Sequence, residues 1–424
     1  MFWLVENKTQ FEEFKNRNVE EAFVEIIPYS PFIHPAENSI CCIYIRPLQD
    51  HKGYMFPIYH TEVEEKLFED KVFLLIKNLE KIYCKDKKEF LHYFPLKQLI
   101  DITLTSPTYI QFTPAHEFLY HKYPNKQDVN TLVPIVKHYE YCEALFEELE
   151  YLIDKPVNKF YNDKVSWVFN GIERAGLFVD NTLYNDYFDK GIDGCVVYTQ
   201  YNIKTLTTRP SNNFNGINYA ALNKENGCRK AFIPRNSKLI EIDISAYHPT
   251  LASKLVSYSF SDGDNIYTTL ARLLDCEVSE SKEITFRQLY GGIQKEFEEI
   301  EFFRLMKRYI EDLWSIYQDQ GYIECPVSKF RFYKDKLENM NPQKLFNYVL
   351  QNLETSVNVH ILWDIFKILK NKNTRIVLYT YDAFLFDWDD KEHQVMDEIN
   401  KVFEKYKLTI KVTHGNSYDF KSTV

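Results

Sequence analysis

Two apolar runs that each end on an aspartate constrain the fold more than any other feature of this chain. Lys238-Leu239-Ile240-Glu241-Ile242-Asp243 is a short, mostly apolar run. Arg375-Ile376-Val377-Leu378-Tyr379-Thr380-Tyr381-Asp382 leads directly into Ala383-Phe384-Leu385-Phe386-Asp387, a hairpin pattern. Short apolar runs of this kind, bounded by polar residues, read as buried strands. Each carboxylate therefore follows a buried run and is delivered to a sheet edge. Two such carboxylates can hold a pair of divalent cations, which can deprotonate a hydroxyl, align it and neutralise a leaving phosphate. Magnesium suits the role, because it binds through few carboxylates plus phosphate oxygens and water. A strand-end aspartate can also do no more than terminate its strand.

The chain has 424 residues, enough for two or three domains with a sizeable core. With 45% hydrophobic and 26% charged residues it is neither disordered nor fibrous. A net charge of −10 argues against a simple cationic nucleic-acid binder. The charge is segregated, however. Lys204, Arg209, Lys224, Arg229, Lys230, Arg235 and Lys238 face one acid, Glu225, across residues 200–240, and this basic stretch runs straight into Asp243. Such a patch suits phosphate contacts, or is a solvated face. The eight cysteines form neither a CxxC pair nor a Cys/His cluster with zinc-ligand spacing, so reduced thiols in a cytosolic compartment are expected. The N-terminal stretch reaches a charge at Glu6, and no uncharged apolar run approaches the ~18 residues of a membrane span. A cytoplasmic location without membrane contact is the expectation.

Residues 22–27, 40–45 and 54–58 read as strands, and 63–82 and 134–153 as helices, so the first region is α/β in character. Asp154-Lys155-Pro156 is a plausible boundary. In the second region, helices are expected at 165–175, over most of 276–318, at 342–370 and at 390–406. Strands are expected at 238–243 and 375–387, then at 408–412. Residues 200–238 are irregular.

Two helical spacings carry chemistry. Lys282, Phe286 and Tyr290 fall at i, i+4 and i+8 on one face. A cation followed by two aromatics suits a triphosphate, a base and a sugar. Two core aromatics with a snorkelling lysine would give the same pattern. Asn347 and Gln351 sit at i and i+4 on an otherwise apolar helix. They suit the minor-groove edge of a base pair or an internal hydrogen-bond network.

Taken in order, these segments resemble the polymerase domain of family A DNA polymerases in a compact, phage-like form. Ile172 to Asp180 is similar to the segment that opens that domain. Thr208-Arg209-Pro210-Ser211 is similar to its Thr-Gly-Arg-Leu-Ser segment, and Arg229-Lys230-Ala231-Phe232 to the Arg-x-Ala-Phe lead-in to motif A. Asp243-Ile244-Ser245-Ala246-Tyr247-His248 stands where the family has Asp-Tyr-Ser-Gln-Ile-Glu. Lys282, Phe286, Tyr290 and Gly291 match motif B, Asn347-x3-Gln351 matches the helix that feels the templating pair, and Tyr381-Asp382-Ala383 stands where motif C has His-Asp-Glu.

The resemblance implies an α+β right-hand polymerase domain at 156–424. Its antiparallel palm sheet would take 165–275 and 342–424, with helical fingers at 276–341. It implies two Mg2+ ions on Asp243 and Asp382 as catalytic ligands, and dNTP contacts from Lys282, Phe286, Tyr290 and His248. Primer-template DNA would meet Arg209, Arg229, Asn347, Gln351 and Tyr381. The reaction would be attack of the primer 3′-hydroxyl on an α-phosphate, releasing pyrophosphate, in the cytoplasm of a host cell for a phage-encoded chain.

The chain departs from the family in four places. Motif B's leading arginine is Val278, so that phosphate contact is either missing or supplied elsewhere, by Arg272 or Arg287. The glutamate that excludes a 2′-hydroxyl is His248. Motif C's glutamate is Ala383. The helical thumb is reduced or absent, because only residues 181–200 separate Asp180 from Tyr201. Low processivity and a need for replisome or processivity partners follow.

The first 155 residues resemble an α/β, RNase H-like 3′–5′ exonuclease through Lys85 to Glu89, Ile100-Asp101-Ile102 and Tyr139-x3-Glu143. The first acid pair falls on Glu25 and Ile27, and the second motif's Asn on Lys85. A degenerate exonuclease-like domain without proofreading is expected. The alternatives kept open are a single-subunit RNA polymerase or primase-like enzyme, which His248 keeps in play, and a non-catalytic replisome scaffold.

Overall fold

The computed structural model describes residues 3–63, 69–105, 129–192, 194–260 and 265–420. The chain divides into two compact units. One comprises Met1–Arg174 with Phe214–Ile217, the other Ala175–Asn213 with Asn218–Val424. The division falls at 174/175 rather than at 155/156 because the helix Ser166–Ala175 is tied into the first unit. Glu173 on it is fully buried and binds Lys88 at 2.8 Å and His92 Nε2 at 2.8 Å, and Asn170 donates to the Lys88 carbonyl at 3.0 Å.

The first unit is built on a six-stranded mixed sheet: β1 (Trp3–Leu4), β2 (Glu21–Pro28), β3 (Ile40–Pro47), β4 (Tyr54–Pro57), β5 (Lys81–Cys84) and β6 (Leu99–Asp101), in the order β1-β4-β3-β2-β5-β6. β2, β3 and β4 form an antiparallel meander, while β5 pairs parallel to β2 and β6 parallel to β5. β3 is buried along almost its whole length, with Ile40, Ile43 and Ile45 packed into one apolar cluster and Cys41, Cys42 and Tyr44 into another. Covering both faces of a sheet selects continuous apolar runs over alternation. The helix Ile135–Leu149 presents Ile135, Tyr139, Cys142, Leu145, Phe146 and Leu149 to the second cluster, a spacing dominated by steps of three and four residues. The helix expected at 63–82 is found at Glu69–Lys77, and 81–82 already belong to β5; residues 64–68 lie outside the described part. Lys81-Ile82-Tyr83-Cys84 is too short and β-rich to prolong the helix once the chain has turned at Asn78.

The second unit has a four-stranded antiparallel sheet in the order Arg375–Tyr379, Ala383–Trp388, Lys238–Ile244, Ile410–Gly415. Its last strand starts two residues later than the 408–412 expected, since the chain still turns at Lys407, where φ is 50°. Along Lys238–Ile244, Ile240, Ile242 and Ile244 point to one face and Glu241 and Asp243 to the other. The same unit contains the helices Tyr247–Leu255, Ile266–Leu274, Val278–Gly291, Glu301–Gln320, Pro342–Ile368 and Gln394–Lys405. The 27-residue helix Pro342–Ile368 is buried over most of its length. Residues 181–200 hold the eight-residue helix Asn181–Phe188 and the two-residue strand Val196–Val197.

Candidate active site

Strand pairing brings the two aspartates together. Asp243 lies opposite Ala383, the residue after Asp382, and the Ile244 amide donates to the Asp382 carbonyl at 2.8 Å. The hairpin that carries Asp382 is tight. The Asp382 amide donates to the Thr380 carbonyl at 3.0 Å around Tyr381, whose φ is 70°. An i→i+2 turn at positive φ is rare and strained, and a bulky residue holds it only when its surroundings enforce it. Two contacts do so here. The Tyr381 carbonyl accepts from Asn358 Nδ2, and its ring lies under the Arg209 guanidinium, 3.8 Å from Cζ to the ring centroid.

Asp243 titrates at about 6, above the ordinary carboxylate range; desolvation is the larger cause, followed by the negative charges of Asp382 and Glu241, while Lys224 and Lys411 oppose them. Asp382 is also pushed up, first by desolvation; Glu354 adds to the rise, while its own backbone amide, Arg209 and His248 pull the other way. The Asp382 residue is nevertheless solvent-exposed. Two neighbouring carboxylates that resist ionisation are a fit for divalent cations, which favour the ionised forms.

The helix Val278–Gly291 carries Lys282, exposed, then Phe286 and Tyr290, whose rings stack at 5.8 Å and 6°. Tyr267 adds a third ring 6.3 Å from Phe286, with Lys282 Nζ 5.9 Å from it. Burial raises the Tyr267 hydroxyl to about 12 and also raises Tyr290, and in both cases Asp382 contributes behind it. Both rings thus lie within electrostatic reach of Asp382. The helix end is held from Pro342–Ile368: Gln343 donates to the Leu289 carbonyl and Asn347 Nδ2 to that of Tyr290 at 3.2 Å. Asn347 Oδ1 is buried without a hydrogen-bond partner. Gln351 lies half-buried one turn further on.

His248 enters from the first turn of Tyr247–Leu255, directly after the strand that carries Asp243. The chain makes this turn through Ala246, at φ 48°. His248 Nδ1 meets the Tyr290 hydroxyl, and its Nε2 lies 3.2 Å from Glu354 Oε2. Glu354 is 1% exposed and also holds Arg209, with Nε 3.1 Å from Oε2 and Nη2 donating to Oε1 at 3.4 Å. Sequence reasoning misses Glu354 as a site residue, since no motif contains it. The signal that could find it is a helical stripe: Asn347, Gln351, Glu354 and Asn358 recur at intervals of four, three and four in an apolar helix.

Arg229 is placed differently from the DNA contact expected of it. It is buried, donates through Nε and Nη2 to the Leu222 carbonyl at 3.2 and 3.1 Å, and packs over the Tyr418 ring at 4.3 Å. Its guanidinium braces the loop that leads into the 238–244 strand. Lys224, Lys230 and Arg235 remain exposed.

The acids singled out in the first unit are consumed internally. Glu25 Oε1 lies 2.5 Å from Lys85 Nζ, which also donates to the Tyr141 hydroxyl at 2.7 Å. Burial opposes the Lys85 charge, but Glu25, Tyr141 and Glu89 outweigh it and hold the ammonium protonated. Asp101 accepts from Lys87 N, Thr103 N and Thr103 Oγ1. Glu143 accepts from Tyr44, Gly53 N and Arg46.

Among the described residues two further groups have metal-like spacing, Cys41/His60/His138 and His34/His92/Glu173, both in this unit. His60 already uses both ring nitrogens, on the Val133 carbonyl and the Glu62 amide, and Glu173 already carries the Lys88 ammonium.

No protein-family model and no curated protein matches the sequence. Among solved structures the chain is similar to one described as the POL domain of Pol1 from M. smegmatis in complex with DNA primer-template and dNTP. The TM-score is 0.71 at 13% sequence identity, over 98% of this chain and 99% of that one. The chain has a DNA polymerase domain fold. In the second unit that fold places the aspartate pair, the 278–291 helix and the 342–368 helix in one neighbourhood. Among the described residues no helix is long and apolar enough to cross a membrane.

Proposed function

We propose that this chain is a template-directed DNA polymerase that extends a primer 3′-OH with dNTPs, a compact, phage-like member of family A. The observation that carries this reading is the pairing of Asp243 with Asp382 at one end of the two central strands of the sheet, with Asp382 within electrostatic reach of Tyr267 and Tyr290. Asp243 and Asp382 would hold two Mg2+ ions. When bound, these supply activation of the primer hydroxyl and neutralisation of the leaving pyrophosphate. The protein's own part is to hold the phosphates with Lys282 and stack the base and sugar on Phe286 and Tyr290. Arg209, Tyr381, Asn347 and Gln351 would meet primer-template.

The test is primer extension by the purified chain. Asp243→Asn and Asp382→Asn are expected to lose at least about 10³-fold in rate, the equivalent of ~4 kcal/mol of lost charge stabilisation. Full activity in either variant sinks the assignment.

A second reading, a primase-like or single-subunit RNA polymerase, is favoured by one observation: an imidazole stands where the sugar-excluding carboxylate belongs. In the reading preferred here the His248 ring blocks a 2′-hydroxyl sterically. Wild type should then use dNTPs over rNTPs, and His248→Ala should narrow the gap; equal use of both sugars by wild type decides for the second reading.

The first unit would be a degenerate exonuclease-like domain. Its support is that Lys85 sits on Glu25 and that Asp101 and Glu143 are fully engaged. A 3′-mismatched primer should persist uncut in Mg2+ or Mn2+; its removal by the purified chain contradicts this.

A further inference from the structure

Glu354 belongs to no motif, yet it is the buried carboxylate on which two pocket residues converge. We propose that Glu354 is a positioning residue for the nucleotide pocket: it fixes the ring tautomer of His248 and through it the hydroxyl of Tyr290. This rests on the polymerase reading for its functional meaning, but not for its chemistry.

His248 Nε2 and Arg209 Nε both lie within ion-pair distance of Oε2, without the alignment of a full hydrogen bond. A lone pair on Nε2 facing a carboxylate oxygen at 3.2 Å would be repelled, so Nε2 carries the proton. In the neutral ring Nδ1 is then the acceptor, and the Tyr290 hydroxyl donates to it. That bond links the 278–291 helix to the 247–255 helix and sets the plane of Tyr290, against which Phe286 lies almost parallel. Arg209 does not compete for this role. It is a donor only, and it uses the same carboxylate as a counter-ion while its planar face covers Tyr381.

Replacing the carboxylate by an amide, in Glu354→Gln, reverses the chain of donors. The new amide's oxygen must turn to Arg209, which leaves its NH2 facing His248 Nε2. Nε2 then has to accept, the proton moves to Nδ1, and the Tyr290 hydroxyl loses its acceptor.

The experiment has two arms on the full-length chain. In the first, 15N-histidine NMR of the DNA-free protein, with His248 assigned by its loss in His248→Ala, should show the Nε2–H tautomer in wild type. It should show the Nδ1–H tautomer in Glu354→Gln, with Glu354→Asp keeping the wild-type form. A wild-type Nδ1–H signal, or no change in Glu354→Gln, overturns the proposal whether or not the chain polymerises.

In the second arm, single-nucleotide incorporation by Glu354→Gln should show KM for dNTP raised about tenfold with a smaller fall in kcat. In a His248→Ala background the same substitution should change KM by less than about twofold, because coupled residues are non-additive. An equal rise in both backgrounds overturns the proposal and assigns the effect to Arg209 or to packing. A wild type that incorporates nothing removes the polymerase reading and leaves the tautomer arm to decide.

Discussion

Ionising Asp243 works against the fold. Its carboxyl titrates at about 6 against an ordinary value near 4, so between those pH values the folded state holds a proton that the unfolded state has released. Stability from this group is present below pH ~4 and is lost as pH rises through ~6. In metal-free buffer, Asp243→Asn should stabilise the protein by about 1 kcal/mol at pH 8, discounted for partial solvent screening, with little change at pH 4. Thermal unfolding at both values checks the sign; equal shifts at the two pH values contradict it. The same residue argues for a cation, because a group that resists ionisation alone becomes a good ligand once a positive charge is supplied. Asp243 and Asp382 are both legible in the sequence, since an acid at the end of an apolar run stands out. Glu354 is not, because a glutamate in a helix is ordinary until the helix proves to be buried.

At the scale of elements, the 342–368 helix does two jobs at once. Its apolar positions make core, while Asn347, Gln351, Glu354 and Asn358 form a polar stripe along it. Asn358 donates to the Tyr379 hydroxyl at 2.9 Å and to the Tyr381 carbonyl, and accepts from Tyr247 at 2.8 Å. Asn358→Leu removes one hydrogen bond from each of three groups. It should cost about 2–4 kcal/mol, read as a lower urea midpoint with unchanged slope. It should also release the strained turn at Tyr381 that presents Asp382. In the first unit, Gly53 serves the β3–β4 hairpin for a steric reason, because a Cβ there would run into the Tyr44 ring. Tyr44 cannot simply move aside, since its hydroxyl holds Glu143 at 2.7 Å. Gly53→Ala should therefore cost about 1–3 kcal/mol as an overpacking change, measured by chemical denaturation; a cost near zero would mean the ring relocates freely.

For the molecule as a whole, the polymerase reading sets a net charge of −10, with Arg229 engaged internally, against a polyanionic DNA partner. If about three phosphates are neutralised, raising salt from 50 to 200 mM should weaken primer-template binding roughly 40-fold. With an excess of unlabelled trap DNA the isolated chain should add few nucleotides per encounter; long products under trap would show that the short segment at 181–200 does not limit it. Added processivity factors or other partners should lengthen the products.

Local pattern by itself determined the elements that carry the candidate site. Short apolar runs ending in an acid marked the sheet of the second unit, the spacing of Lys282, Phe286 and Tyr290 marked one helical face, and Asn347 with Gln351 marked another. Run length and the 3.6-residue period are local properties, and they survive any arrangement of the chain. What only the tertiary structure decided is which charged groups face solvent and which face each other. Arg229 reads as a phosphate contact until Leu222 and Tyr418 enclose it. Lys85 reads as a lost metal ligand until it is seen seated on Glu25, and Glu354 reads as nothing until Arg209 and His248 arrive from distant segments. Each of these outcomes depends on desolvation and on partners far apart in the chain. Neither quantity has a period, so no window of sequence contains it.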